Sequence, residues 1–156
     1  MMAIFKFGWA KPVPINMNNF KNPKTGMAIT ALAGPVANVV LAAVMFLIYG
    51  LLYKSLYNGN EVGTFFLQLI DTTAYISCAL AVLNIIPIPP LDGSKILFSF
   101  LPNDIYFKLM RYEQFGFIIL ILLISTNAAT PFLSTATQGL YGFLFGIGKW
   151  AYLLTV

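Results

Sequence analysis

The segment LNIIPIPPLDGSKI, Leu83 to Ile96, places one carboxylate, Asp92, between a proline-rich bend and Gly93. Two kinds of chemistry suit an aspartate there. It can cap a following helix, since Asp92-Gly-Ser-Lys offers Asp92 or Ser94 as an N-cap. It can also stand at the rim of a polar cavity made by broken backbone. Residues before prolines avoid the helical region, so Pro87, Pro89 and Pro90 demand an extended or turned chain, and a helix reaching them must end near Ile86. Asn84 lies just upstream and adds an amide to the same neighbourhood.

The elements that position these residues follow from composition. Of 156 residues, 59% are hydrophobic and only 9% charged, and the mean hydropathy is +0.82. Soluble domains carry roughly 25% charged residues, so a membrane is the natural solvent for this chain. The net charge of +4 comes from basic residues scattered singly, which excludes a nucleic-acid surface. The lone cysteine, Cys78, forms no internal disulfide. The pattern predicts an all-α polytopic membrane protein of three to four helices. Residues 1–26 form a loop with a short extended or β segment at 9–16, where prolines alternate with other residues. The transmembrane domain covers 27–156, with spans at about 27–53, 64–91, 115–130 and 133–154 and a polar loop over 92–114.

Lys6, Lys11, Lys21 and Lys24 precede the first span, and Lys95, Lys108 and Arg111 follow the second. The positive-inside rule therefore puts the N-terminal loop and the Asp92 loop on the cytoplasmic side. Within the first span, Thr30, Gly34 and Asn38 share a face that permits close helix packing, and Pro35 disrupts the backbone ladder. Asn38 and Asn84 both need partners in hydrocarbon, and irregular backbone at that depth persists only where protein buries it or it lines a wet cavity.

The motifs GPVAN at 34–38 and NIIPIPPLDG at 84–93 together resemble the site-2 protease family of intramembrane zinc metalloproteases, and FGWAKPVPIN at 7–16 resembles the segment before the Gly-Pro span in bacterial members. Asn84, Pro87, Pro89, Leu91, Asp92 and Gly93 fill every fixed position of the family's Asn-x-x-Pro-x-Pro-x-Leu-Asp-Gly pattern, and Ser94 stands where many members have a second glycine. The resemblance implies that Asp92 is the third protein ligand of a catalytic zinc and that Asn84 orients substrate or stabilises the oxyanion. Gly34, Pro35, Asn38, Pro87, Pro89 and Gly93 then shape the substrate groove and its helix packing. Membrane lipid and a transmembrane protein substrate are the implied partners. In the family the other two ligands are histidines of a His-Glu-x-x-His helix whose glutamate is the general base. The metal there lowers the pKa of bound water and polarises the scissile carbonyl.

This chain contains no histidine at all. A catalytic zinc needs about three protein ligands, and Glu61 and Asp71 are expected on the far side from Asp92. The resemblance therefore implies that the helices carrying His-Glu-x-x-His are missing partners, that Met1 is an internal start or a truncation, and that this chain alone binds no zinc and does not cut. The alternative is a catalytically inactive membrane module that keeps the groove and binds unfolded or transmembrane segments.

Overall fold

The computed structural model describes residues 21–57, 60–126 and 129–155. Those residues form helices α1 (Pro23–Leu56), α2 (Glu61–Ile85), α3 (Asp92–Ser99), α4 (Asn103–Arg111), α5 (Glu113–Ser125) and α6 (Thr130–Leu153), with no strand among them. The extended segment expected at 9–16 lies outside the described residues.

Helix α1 begins at Pro23, earlier than the residue 27 expected, because proline in a first helical turn loses no hydrogen bond. It passes through Pro35, which is buried. Helix α2 is capped by the Asn60 side chain, which accepts from the Val62 N–H at 3.1 Å. It ends at Ile85, with Ile86 extended, as the prolines beyond it require. The span expected to run to residue 91 thus stops short. The polar stretch expected as a loop over 92–114 instead holds α3 and α4.

Both α1 and α2 are long and apolar enough to cross a membrane. Their outer faces stay bare: Ile29, Val40, Phe65 and Leu69 are all more than half exposed, which suits contact with lipid tails. The later part of the chain, where two further spans are expected, holds α5 and α6. Helix α5 has 13 residues, about 20 Å of length against about 30 Å of hydrocarbon. Helix α6 has 24 residues, but Gln138, Lys149 and interspersed Thr and Gly dilute its apolar character.

Helix α6 runs parallel to α1. Phe46 meets Tyr141 edge-on with centroids 5.0 Å apart, Gly50 faces Gly148, and Tyr53 meets Tyr152 at 5.6 Å. The two helices therefore start at the same end of the bundle. Where α1, α2 and α6 converge, Ala42, Phe46, Ala74, Cys78 and Leu144 bury one another. Cys78 is a small apolar filler there.

Glycines set the spacing of α1 and α6. A Cβ on Gly50 would overlap the Gly148 carbonyl and come 2.8 Å from the Ala151 Cβ, and a Cβ on Gly148 would lie 2.9 Å from the Phe46 carbonyl oxygen. Replacing Gly50 by Ala must push two backbones apart, with an expected loss of roughly 1–3 kcal/mol. Gly146 on the same helix as Gly148 has open space around it, so Gly146→Ala is expected to be neutral or to gain up to about 1 kcal/mol of helix propensity. Denaturant titration in detergent, followed by circular dichroism, checks the contrast. Equal stability of the two variants would contradict the close crossing.

Candidate functional site

The site is built on the break after α2. Local hydrogen bonds satisfy the turning backbone: Ile88 N–H to the Ile86 carbonyl at 2.9 Å, Leu91 N–H to Ile88 at 2.9 Å, and Ser94 N–H to Leu91 at 3.1 Å. The Pro89–Pro90 peptide is cis. The chain then turns straight into α3, whose first turn tucks beneath the end of α2. Gly93 is buried there, and a Cβ on it would strike the carbonyls of Ile85 and Ile86. Ser94 is buried too, and its Oγ donates to the Leu91 carbonyl at 2.7 Å. The hydroxyl thus takes up a carbonyl inside the tight turn.

Asp92 does not serve as the N-cap. Leu91 occupies that position without any side-chain capping bond, and Asp92 is the first residue of α3. Its carboxylate turns to α1 instead. The Oδ2 atom lies 2.9 Å from where a Cβ on Gly34 would be. Its Oδ1 atom is 3.7 Å from the Lys95 ammonium, and about a third of the Asp92 side chain stays exposed, at 33%. This surface-accessible pair contributes little to stability, so the carboxylate remains open to another ligand.

The GPVAN and PPLDG motifs therefore meet in space through Gly34 and Asp92. Pro35, the next residue after Gly34, is buried, while Asn38 one turn on and Asn84 in the last turn of α2 are both half-buried. Not every residue assigned to the groove lines an open surface. Pro87 is exposed, but Pro89 is covered by α5, where a Cβ on Gly116 would overlap the Pro89 ring and carbonyl.

Other contacts gave no signal in the sequence. Lys24 donates from its ammonium to the Leu101 carbonyl and sits 5.5 Å from the centroid of the buried Tyr106 ring, which ties the α3–α4 junction to the start of α1. Asp71, expected on the far side from Asp92, accepts a 2.6 Å hydrogen bond from the Tyr141 hydroxyl of α6.

As a metal site the described residues are incomplete. No group of three His, Cys, Asp or Glu side chains comes together among them, and Asp92 has the chemistry of a single oxygen donor where a catalytic zinc takes about three protein ligands. The arrangement fits one ligand of a larger set and no more.

The tuck of α3 under α2 fixes where the Asp92 carboxylate points. Gly93→Ala must displace α3 from the two carbonyls and is expected to cost roughly 1–3 kcal/mol. Thermal melting of the detergent-solubilised variant checks this. A melting temperature equal to that of the parent would mean that α3 does not sit beneath α2.

The sequence pattern of peptidase family M50 matches residues 51–124. Over 129 residues the chain is 30% identical to "Putative zinc metalloprotease YwhC" of Bacillus subtilis, covering 81% of this chain and 58% of that protein. It is 34% identical over 101 residues to "Putative zinc metalloprotease Rip2" of Mycolicibacterium smegmatis, covering 65% of this chain and 37% of the relative. The Rip2 protein of Mycobacterium tuberculosis is 30% identical over 127 residues, with 81% and 42% covered. The chain thus spans roughly half the length of these relatives. No solved structure matches it. The meeting of Gly34 with Asp92, the Pro-broken end of α2 and these similarities agree in one direction: this chain is similar to the zinc metalloproteases of the site-2 protease family, peptidase family M50.

Proposed function

We propose that this chain forms the Asp92-bearing part of an intramembrane zinc metalloprotease that hydrolyses peptide bonds of transmembrane substrates. The observation that carries this is the Asp92 carboxylate, held against Gly34 of α1 and not spent on capping α3. Asp92 is one metal ligand. Asn84, half-buried in the last turn of α2, orients the substrate or its oxyanion. Gly34, Pro35, Asn38, Pro87 and Gly93 shape the surroundings of the cleft, and Pro89 supports it from beneath α5. Because the chain has no histidine, the remaining ligands and the general base come from polypeptide outside this sequence.

The helix directions support one membrane arrangement. Helices α1, α2 and α6 are the crossing segments, since α6 runs parallel to α1 and α5 is too short to carry the chain across. Three crossings with the Asp92 end on the cytoplasmic side agree with Lys21, Lys24, Lys95 and Lys108 at that end. The absence of histidine favours one further reading, a binding module that keeps the groove without cutting.

One experiment separates the two. The purified chain alone is expected to retain no stoichiometric zinc after dialysis. Co-expressed with the N-terminal region of the Bacillus subtilis relative, it is expected to retain zinc and cleave a transmembrane reporter. Asp92→Asn is then expected to lower cleavage by more than about 100-fold while helicity persists. Full cleavage by that variant would remove Asp92 from the metal site. Stable assembly without zinc or cleavage would favour the binding module, and zinc held by the isolated chain but lost in Asp92→Ala would show a complete site within it.

A further inference from the structure

The half of α2 away from Asp92 carries a polar face that proteolysis does not use. Glu61, Thr64, Gln68 and Asp71 recur at helical spacing, so they line one side of the helix. Asp71 lies about 15 Å along α2 from Glu61, at 1.5 Å per residue. On the α1 side, Tyr49, Tyr53 and Tyr57 stand one turn apart, the last of them just past the helix end. Their rings form a ladder. The centroids of Tyr49 and Tyr53 are 5.6 Å apart, and Tyr53 stacks on Tyr57 at 4.9 Å.

Two cavities lie between the polar face and the ladder. The outer one, of about 500 Å³, is lined by Tyr57, Glu61, Thr64, Phe65 and Gln68. The inner one, of about 150 Å³, is bounded by the three tyrosines and by Thr64, Gln68 and Asp71, among others. Tyr57, Thr64 and Gln68 belong to both walls, so the cavities adjoin. Together they form a cleft that opens at Glu61, in the first turn of α2, and closes at Asp71 within the span. Its polar walls and volume suit water.

The charge of Asp71 is what the cleft leads to. Its Oδ1 accepts from Tyr141 at 2.6 Å. That hydroxyl satisfies an oxygen but brings no positive charge. Among the described residues, no lysine or arginine forms an ion pair with Asp71. A carboxylate within a membrane span is costly and is retained for a partner. A cation in the inner cavity meets this carboxylate beside the amide oxygen of Gln68, and the tyrosine rings attract it further. One carboxylate among neutral groups balances a single positive charge, whereas sites for divalent cations gather several carboxylates. Glu61 at the mouth adds a negative charge that draws cations inward.

We propose that the cleft between α1 and α2 binds a small monovalent cation, with Asp71 as its counter-charge and Gln68 as a neutral oxygen ligand. Asp71 then joins three elements: its own helix, α6 through Tyr141, and the tyrosine ladder of α1 through the cation. The cleft shares no residue with the surroundings of Asp92. Its occupancy is independent of zinc and of cleavage, so the chain can be tested as it stands.

The full chain, purified in a neutral detergent, is melted at constant ionic strength in sodium, potassium, methylammonium or N-methylglucamine chloride. Circular dichroism follows the unfolding. N-methylglucamine is the control, too bulky for the inner cavity. At about five times its dissociation constant, a small cation is expected to raise the melting temperature by about 2–4 °C over the control. The rise is expected to saturate. A response to sodium or potassium alone supports the proposal with a metal ion as ligand. A response to methylammonium alone supports it with an amine. Asp71→Asn keeps an acceptor for the Tyr141 hydroxyl and removes the charge. It is expected to abolish the rise without changing helicity. Should that variant fail to fold, Gln68→Leu leaves the Tyr141–Asp71 bond in place. It is expected to increase several-fold the cation concentration needed for half the rise. Equal melting temperatures across the salts overturn the proposal. So does an undiminished rise in folded Asp71→Asn or, where that variant does not fold, in Gln68→Leu. A larger response to magnesium or calcium at equal concentration also overturns it. Stabilisation by a lysine-bearing transmembrane peptide, with none by any small cation, overturns it as well and assigns the cleft to a protein partner.

Discussion

The approach of α3 to the end of α2 is the constraint from which the rest of the Asp92 region follows. A helix broken by Pro87, Pro89 and Pro90 exposes carbonyls that must be satisfied away from water. Here the turn satisfies part of its own backbone through Ile88, Leu91 and Ser94. It also folds so tightly that only a residue without a Cβ fits beneath Ile85 and Ile86. Gly93 therefore fixes the starting point of α3, and that starting point fixes Asp92. Had α3 begun a turn later, the carboxylate would have fallen away from Gly34 and faced solvent. The proline break and the glycine act as one device, and its product is the position of a single side chain.

The apolar surface of the bundle explains how so small a core holds together. Bilayer tails are as apolar as Leu or Ile, so burying such residues between helices gains little in a membrane. Close contact of small residues takes over. Ala42, Ala74 and Cys78 pack with Phe46 and Leu144, and Gly50 meets Gly148 backbone to backbone. The Tyr141–Asp71 hydrogen bond adds a polar tie between α2 and α6. The large aliphatic side chains that would form the centre of a soluble domain face outward instead.

Much of this architecture was legible in the sequence. Long apolar runs mark α1 and α2, one without charge over 27–53 and the other interrupted only by Asp71, since few segments that long carry so little charge unless lipid surrounds them. The end of α2 at Ile85 follows from proline chemistry alone, and the importance of Asp92 follows from its isolation among apolar residues. The start of α1 at Pro23 was not seen, because a basic, proline-bearing stretch reads as loop until the helix behind it is known. A helix at α3 is legible only as the capping alternative for Asp92, and α4 not at all, for a related reason: short helices depend on docking, and docking contacts such as Lys24 with Leu101 join residues far apart in the chain. The same limit hid the pairing of Asp71 with Tyr141. Hydropathy also cannot give direction. A run of apolar residues over 115–130 reads as a crossing, and only the parallel register of α6 against α1 shows that the chain is back at its starting end when α6 begins.

Two glycines on α1 separate a packing role from a chemical one. At Gly50 the missing Cβ leaves room for the backbone of α6, and any side chain there would move a helix. At Gly34 the nearest atom to the missing Cβ is a carboxylate oxygen of Asp92, at the free end of a side chain that stays one-third exposed. A side-chain end can swing aside at small cost, so stability alone gives little reason to keep that space empty. What an added methyl group would disturb is the direction of the carboxylate. Gly34 is therefore best understood by the chemistry of Asp92, and the Gly-Pro motif of α1 belongs to the site as much as the aspartate does.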